Sequence, residues 1–317
     1  MEKIYDVIIL GGGAAGLTAG IYSSRAKLST LILNEGAIGG QMVLTNEIAN
    51  YPGVEITPGY MLANTMKTQA KQFGAVIKSN LKVKKYNLSE RIKTIELEDG
   101  RIFYGKTAIL APGGKPRPLN IPGETEFKGT GISYCATCDG DFFNEKEIVV
   151  IGGGNSALEE AVSLTKYASK VTIIHQFDHF QAFAHAVDEA KANPKIEMIM
   201  ETEPREFIGN KKLNAVKLEH LPTKKLYEFK TEGAFIFIGY VPGTENLPKE
   251  IKLNSRGEII TDLEMRTNIE GVFAAGDCIE KRFRQVTTAV ADGTIAALSA
   301  AEFINQNKYE YEKAEIL

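Results

Sequence analysis

One local pattern occurs twice in this chain, and it constrains the fold more than any other feature. Near the start, Tyr5-Asp6-Val7-Ile8-Ile9-Leu10 runs into Gly11-Gly12-Gly13-Ala14-Ala15-Gly16. Midway, Glu147-Ile148-Val149-Val150-Ile151 runs into Gly152-Gly153-Gly154-Asn155-Ser156-Ala157. Each apolar, β-branched run suits a parallel strand buried on both faces. Each glycine turn opens a helical stretch, Leu17 to Lys27 in the first copy and Leu158 to Ala168 in the second. A further apolar run follows each helix, Ser29 to Leu33 and Lys170 to Ile174. Strand, glycine turn, helix, strand, twice over, predicts two dinucleotide-binding units. The expected class is α/β, with two Rossmann-like domains of three layers (ββα).

Between these units the pattern changes to short strands with tight turns. Leu81 to Glu98 alternates toward Glu98-Asp99-Gly100-Arg101, a hairpin signal, and Glu203 to Glu228 reads similarly. The apolar runs Thr107 to Leu110 and Gly233 to Ile238 each end in a Gly/Pro-rich segment, Ala111-Pro112-Gly113-Gly114 and Gly239-Tyr240-Val241-Pro242-Gly243. Such segments mark places where a chain leaves one domain for another. The domains are therefore expected at 1–115 with 244–317, and at 116–243.

Composition narrows the function. A chain of 317 residues, 44% hydrophobic and 24% charged, has material for more than one core. Its 37 basic and 40 acidic side chains give a net charge of −3, with no long run of one sign. Non-specific nucleic-acid binding and polybasic membrane attachment are not expected. No apolar stretch approaches the roughly 20 residues that span a bilayer. Met1 to Leu10 lacks a cleavable-signal pattern. A cytoplasmic location is the expectation, and two of the three cysteines, in one Cys-x-x-Cys, suit a reducing compartment.

The chemistry concentrates in two places. In the first glycine motif, Gly11 permits a tight turn, Gly13 lets the backbone approach a pyrophosphate, and Gly16 lets helix and strand pack closely. The helix that follows then offers N–H groups and a positive dipole end to phosphate. Glu35 follows the next strand, where a ribose-hydroxyl acceptor belongs. The second place is Cys135-Ala136-Thr137-Cys138-Asp139-Gly140. Two thiols at this spacing can close a small disulfide, and Asp139 can move a proton as a thiolate is made or released. A zinc half-site would need two more soft ligands. Cys278 and the four histidines supply no second Cys-x-x-Cys, and His175 and His179 fall in a turn after a strand. Cys278, after Gly276-Asp277, reads as a small buried residue.

Together these motifs resemble the low-molecular-weight thioredoxin reductases over nearly the whole chain. Gly39-Gly40-Gln41 and Asn50-Tyr51-Pro52-Gly53 resemble that family's flavin-contacting segments, and Tyr134 to Gly140 resembles its redox centre. Gly271-Val272-Phe273-Ala274-Ala275-Gly276-Asp277, with Arg284-Gln285-Val286, resembles its C-terminal FAD motif. The resemblance implies FAD held by Gly11, Gly13, Ala14, Ala15, Gly16, Glu35, Gly40, Gln41, Asn50, Val83, Gly113, Gly276, Asp277, Arg284, Gln285 and Val286. Pro112 departs from it, since the family usually has Thr there. The resemblance further implies that Cys138 exchanges electrons with the flavin, that Cys135 attacks the disulfide of a thioredoxin, and that Asp139 is the acid–base. It implies a homodimer, with the Cys-x-x-Cys domain inserted into the FAD domain.

The resemblance breaks after the second glycine motif. NADPH-dependent members carry His-Arg-Arg-x-x-x-Arg, whose arginines clamp the 2′-phosphate. Here the stretch is His175-Gln176-Phe177-Asp178-His179-Phe180-Gln181. Neither Gln nor Phe supplies the lost charge. NADH is not clearly favoured either, because no acid stands at the strand end and Asp178 comes a few residues late. The stretch resembles the ferredoxin-dependent flavin thioredoxin reductases, which have lost NADPH binding. The reading favoured by the sequence is therefore reduced ferredoxin as the electron donor, with Lys281, Arg282 and Arg284 as a weak basic docking face. The alternatives are an NADH- or NADPH-dependent reductase of the same chemistry and a flavin-binding redox sensor without turnover. The sensor is disfavoured by the presence of both thiols and Asp139.

Overall fold

The structure, a computed structural model, describes residues 3–45 and 48–308, without the side chains of Thr137, Cys138 and Tyr240. It divides into two compact units. One is Pro116–Val241, and the other takes the described residues up to Lys115 and from Pro242 onward. The first unit opens with β1 (Ile4–Leu10), α1 (Ala14–Arg25), β2 (Thr30–Leu33), α2 (Gly59–Gln72), β3 (Val76–Lys78), β4 (Val83–Asn87), β5 (Lys93–Leu97) and β6 (Ile102–Leu110). The inserted unit holds β7 (Ile132–Ser133), α3 (Ala136–Asp139), β8 (Glu147–Ile151), α4 (Asn155–Leu164), β9 (Lys170–Ile174), α5 (Ala184–Ala192) and β10 (Ile196–Ile199). It continues with β11 (Thr202–Gly209), β12 (Leu213–His220), β13 (Lys225–Lys230) and β14 (Gly233–Ile236). The chain then returns to the first unit with β15 (Val272–Ala274) and α6 (Val286–Gln306).

Both units repeat one architecture. In the first, β3, β2, β1 and β6 lie side by side in parallel, and β15 pairs in parallel with the second half of β6. The first half of β6 turns antiparallel to β5, which pairs with β4. Val7, Ile8, Ile9 and Leu10 of β1 are all buried, as a strand covered on both faces requires. One face packs Val7, Ile9 and Ile32 against Leu17 and Ala19 of α1, Leu62 and Met66 of α2, and Ala296 and Ala300 of α6. The other packs Ile8, Leu10 and Leu31 against Ile95, Leu97, Ile251 and Ile259. Where α6 meets α1, a Cβ on Gly293 would stand 2.2 Å from the Ala15 carbonyl oxygen, so the two backbones touch there.

In the inserted unit the parallel order is β10-β9-β8-β14-β7, and β11-β12-β13 form an antiparallel meander. Helices α4 and α5 cover one face through Leu158, Ala161, Leu164, Ala186 and Ala190. The meander covers the other through Phe207, Leu213, Val216 and Leu218. The fold is thus α/β with two three-layer Rossmann-like units, the second inserted into the first.

Three expectations shift in detail. Both helices after the glycine turns begin three residues early, at Ala14 and Asn155, because the last glycine of each turn is itself the extended N-cap. The first helix also ends before Lys27, whose φ of 64° stops it. The second chain crossing lies between Val241 and Pro242 rather than after residue 243. The Gly243 N–H donates to the Gly113 carbonyl at 2.9 Å, which ties Gly243 to the first unit. Among the described residues no helix is long and apolar enough to cross a membrane.

Candidate functional site

The first glycine turn is fixed by contacts that leave its helix end open. Gly11 has a φ of 114°, and a Cβ on it would stand 2.0 Å from the Ala111 carbonyl oxygen. A Cβ on Gly16 would stand 1.9 Å from the Gly11 carbonyl oxygen. Gly13 differs, since the nearest atom to a Cβ there is Gly40 Cα at 3.8 Å. Its glycine is not demanded by the protein's own packing, and the position is open enough for a ligand to approach the backbone closely. Asn34 Oδ1 accepts the Gly12 N–H at 2.8 Å, and the Gly39 N–H donates to the Gly12 carbonyl at 2.7 Å. Helix α1 has no side-chain cap and no acid in its first turn, so its N–H groups and dipole are open to an anion.

Of the other expected residues of this unit, Gly40 and Gly276 lie against that turn. Glu35 is exposed immediately after Asn34. The Leu81 N–H donates to the Asn34 carbonyl at 3.2 Å, which brings the start of β4, and half-buried Val83 with it, toward the end of β2. Gln41 Nε2 donates to the Gly114 carbonyl at 3.1 Å, beside Gly113, whose φ is 65° and whose Cβ position is open. Asn50 Nδ2 donates to Gln285 Oε1 at 3.2 Å. The Gln285 side chain also caps α6 reciprocally with Thr288, and Val286 opens that helix. A Cβ on Gly276 would lie 2.9 Å from the Ala15 Cβ, so the Gly276-Asp277 turn rests on the first turn of α1.

Asp277 Oδ1 is buried and has no hydrogen-bond partner. Burial pushes the carboxyl above the ordinary carboxylate range, against the pull of Lys281 and Arg284. A buried acceptor without a donor costs free energy until a ligand supplies one. An open helix end and an orphaned carboxylate oxygen on one side of a sheet fit the phosphate and hydroxyl-bearing half of FAD. The basic docking face expected at Lys281, Arg282 and Arg284 is largely absent. Lys281 pairs with Asp292, and Arg284 pairs with buried Glu258 while its Nε donates to the Asp277 carbonyl at 3.3 Å. Only Arg282 keeps an exposed charge, stacked over the exposed Phe283 ring at 5.0 Å. Charge spacing alone did not separate paired cations from solvated ones.

In the inserted unit, Cys135 is disulfide-bonded, while free Cys278 of the first unit is fully buried with its thiol pushed up to about 12 by burial. The backbone of Cys138 lies in α3, but its side chain is outside the described residues. Asp139 is pinned beside this motif: Ser133 Oγ donates to Asp139 Oδ2 at 2.6 Å and accepts the Cys135 N–H at 3.0 Å. Ser133 is buried, and no sequence signal beyond its nearness to Cys135 marks it. The Tyr134 hydroxyl donates to the buried Glu124 carboxylate, which also accepts the Leu119 N–H at 2.8 Å and the Asn120 N–H at 2.5 Å. The chain just ahead of the cysteines is thereby anchored.

The second glycine turn is also intact. A Cβ on Gly152 would stand 2.2 Å from the Phe237 carbonyl oxygen, the Gly154 position is open, and α4 has no side-chain cap. A small cleft joins Ser156 of this turn to Tyr134, Ile236, Phe237, Gly239 and Pro116. The loop after β9 folds back over the turn, with the Gln181 N–H donating to the Gly153 carbonyl at 2.8 Å. His175 is buried over Gly153, stacked on Phe180 at 5.6 Å, with Nε2 donating to the His179 carbonyl at 3.1 Å. Burial holds its imidazole below the ordinary histidine range. Gln176 and Gln181 are exposed, Phe177 stacks on His179, and Asp178 bonds His179 at 2.7 Å. Among the described residues no group of three or more His, Cys, Asp or Glu side chains is arranged to hold a metal ion.

Comparison with known proteins agrees with this geometry. The family model described as pyridine nucleotide-disulphide oxidoreductase matches residues 5–293. The chain is 43% identical to a thioredoxin reductase of Peptoclostridium acidaminophilum over 314 residues, covering 97% of this chain and 99% of that one. It superposes on the crystal structure of Lactococcus lactis thioredoxin reductase with a TM-score of 0.93 at 41% identity, covering 95% and 99% of the two chains. A ferredoxin-flavin thioredoxin reductase from Clostridium acetobutylicum matches with a TM-score of 0.52 at 28% identity, covering 96% and 100%. Matched along almost its entire length, the chain belongs to the pyridine nucleotide-disulphide oxidoreductase family, with FAD as its cofactor.

Proposed function

We propose that this protein is a thioredoxin reductase that draws reducing equivalents from a pyridine nucleotide, NADH ahead of NADPH, and delivers them through Cys135 and Cys138 to the disulfide of a thioredoxin-like protein. The observation that carries the reading is the bonded Cys135 beside an Asp139 held by buried Ser133, in a unit that keeps an uncapped glycine-turn helix. FAD, when bound, supplies two-electron reduction of the Cys135–Cys138 disulfide. The glycine turn of β1 and α1 would hold its pyrophosphate, Glu35 a ribose hydroxyl, and Asp277 the ribityl chain. Asp139 donates a proton as one thiolate is released, and Ser133 keeps its carboxylate at that place. Cys135 then attacks the partner's disulfide. The partner gains two electrons and two protons, and Cys135 and Cys138 close their disulfide again.

The choice of nucleotide follows from charge. Gln176, Phe177 and Gln181 occupy the positions of the 2′-phosphate clamp and offer no cation, so the extra phosphate of NADPH gains no bidentate partner. The open Gly154 and the N-terminus of α4 still suit a pyrophosphate. The same missing arginines favour a second reading, reduced ferredoxin as donor, though pairing of Lys281 and Arg284 inside the chain removes most of its supposed docking face. A homodimer in a reducing cytoplasm accompanies either reading. The test is an anaerobic titration of the flavin absorbance with NADH, NADPH and reduced ferredoxin. Bleaching by NADH at lower concentration than NADPH supports the proposal. Bleaching by ferredoxin alone replaces it with the second reading.

A further inference from the structure

The turn that presents Asp277 is gripped from both ends by ion pairs that a nucleotide fold does not require. At one end, Asp292 of α6 accepts the Gly276 N–H at 3.1 Å and pairs with Lys281, the two side chains being only 14% and 12% exposed. At the other, Arg284 donates from Nε to the Asp277 carbonyl at 3.3 Å, and its guanidinium pairs with Glu258, whose side chain is 4% exposed. The other oxygen of Glu258 accepts from Asn254 at 2.7 Å and from Arg256 at 2.8 Å. Backbone bonds fix the register. The Ile259 N–H donates to the Cys278 carbonyl at 2.9 Å, and the Glu280 N–H donates to the Ile259 carbonyl at 2.9 Å. Glu258 is thereby held opposite the Asp277 turn.

Ion pairs drawn largely out of water are a poor source of stability, because desolvation offsets much of their attraction. Two of them on one short turn, flanking a buried carboxylate oxygen with no partner of its own, have a better use in fixing position. We infer that Glu258 and Asp292 are positioning residues for the flavin cofactor, acting through Arg284, Lys281 and the Gly276 N–H to hold Asp277 where it meets the cofactor's hydroxyl groups. The inference rests on the reading of Asp277 as an FAD ligand. It adds two carboxylates that never touch the cofactor, one from outside every glycine motif and one from the second turn of α6.

The experiment is a double-mutant cycle on apoprotein, reading the FAD dissociation constant from quenching of FAD fluorescence and the apoprotein melting temperature alongside. Glu258→Gln and Asp292→Asn keep side-chain shape and remove the charge. Each is expected to weaken FAD roughly tenfold in the otherwise unchanged protein. In an Asp277→Ala background each is expected to change it by less than about twofold, because the group they position is gone. A purely structural role would lower the melting temperature and leave the dissociation constant unchanged, and that result overturns the inference. So does equal weakening in both backgrounds. If Asp277→Ala itself binds FAD like the unaltered protein, the ligand reading has failed first, a distinct outcome that also removes the inference. The two carboxylates lie on different elements, so if one variant does not fold the other still decides.

Discussion

Replacing Gly13 with alanine separates folding from cofactor binding in a way that Gly16 cannot. In the chain itself Gly13 has φ −81° and ψ −168°, an extended conformation open to any residue. Its added methyl would meet nothing nearer than Gly40 Cα at 3.8 Å, ordinary contact. The remaining cost is the poorer N-cap preference of alanine, about 0.5–1 kcal/mol, or roughly 1–4 °C in melting temperature for a domain of this size. With cofactor present, the methyl occupies the side from which a pyrophosphate approaches the backbone. Loss of one or two charge-assisted N–H bonds is worth about 2–4 kcal/mol, so FAD binding should weaken roughly 30- to 1000-fold. Gly16→Ala behaves differently, since its Cβ would lie 1.9 Å from the Gly11 carbonyl oxygen and backbone must move. That variant should lose about 1–3 kcal/mol or more as apoprotein. Apoprotein melting curves and FAD fluorescence quenching measure both effects. Unchanged FAD affinity in Gly13→Ala would refute the pyrophosphate assignment, and loss of apoprotein stability equal to that of Gly16→Ala would refute the packing argument.

Asp277 has its carboxyl raised by burial, so the fold bears a cost for ionising it. That cost starts as pH rises past the unfolded value and is complete above the folded one. Asp277→Asn is therefore expected to raise the apoprotein melting temperature at neutral pH while weakening FAD binding, and the difference in melting temperature should shrink at acid pH. Cys278 is buried with a thiol pushed up to about 12, so the reduced native protein should react with a thiol reagent at Cys135 and Cys138 only. The third thiol should appear after denaturant is added. Ser133→Ala removes the donor to Asp139 and the acceptor for the Cys135 N–H. It should slow reduction of a thioredoxin substrate roughly 10- to 100-fold, with the flavin spectrum unchanged, in a stopped-flow assay of the reduced enzyme.

The elements that position the site were legible because they obey local rules. Gly11, Gly16 and Gly152 could be identified from their place after a strand, and each proves to face a backbone carbonyl about 2 Å from where its Cβ would be. The consecutive apolar runs of β1 and β8 required cover on both faces, and helices and meanders supply it. Cys278 was readable as buried because a lone free cysteine behaves as a small hydrophobe. What escaped were pairings set by tertiary contact. Glu258 stands 26 residues before its partner Arg284, in no recognisable motif. The run Glu280-Lys281-Arg282-Phe283-Arg284 after the turn gives no sign of which cation is paired, since that depends on how α6 returns beneath it. Asn34 and Ser133 act by hydrogen-bonding neighbouring backbone or a nearby carboxylate, a role open to many polar residues and so invisible by type. The donor specificity rests on charges that are missing, and an absence narrows the choice without selecting one.

Electron exchange between flavin and disulfide is tested most directly by an anaerobic reductive titration of the holoprotein beside a Cys135→Ser, Cys138→Ser double variant. A flavin coupled to a disulfide takes up twice the electrons of a flavin alone. The expected result is therefore that the unaltered protein consumes twice the reductant per flavin that the variant does, and that only the unaltered protein then reduces a thioredoxin. Equal consumption by the two would contradict the assignment of Cys135 and Cys138 as the redox centre.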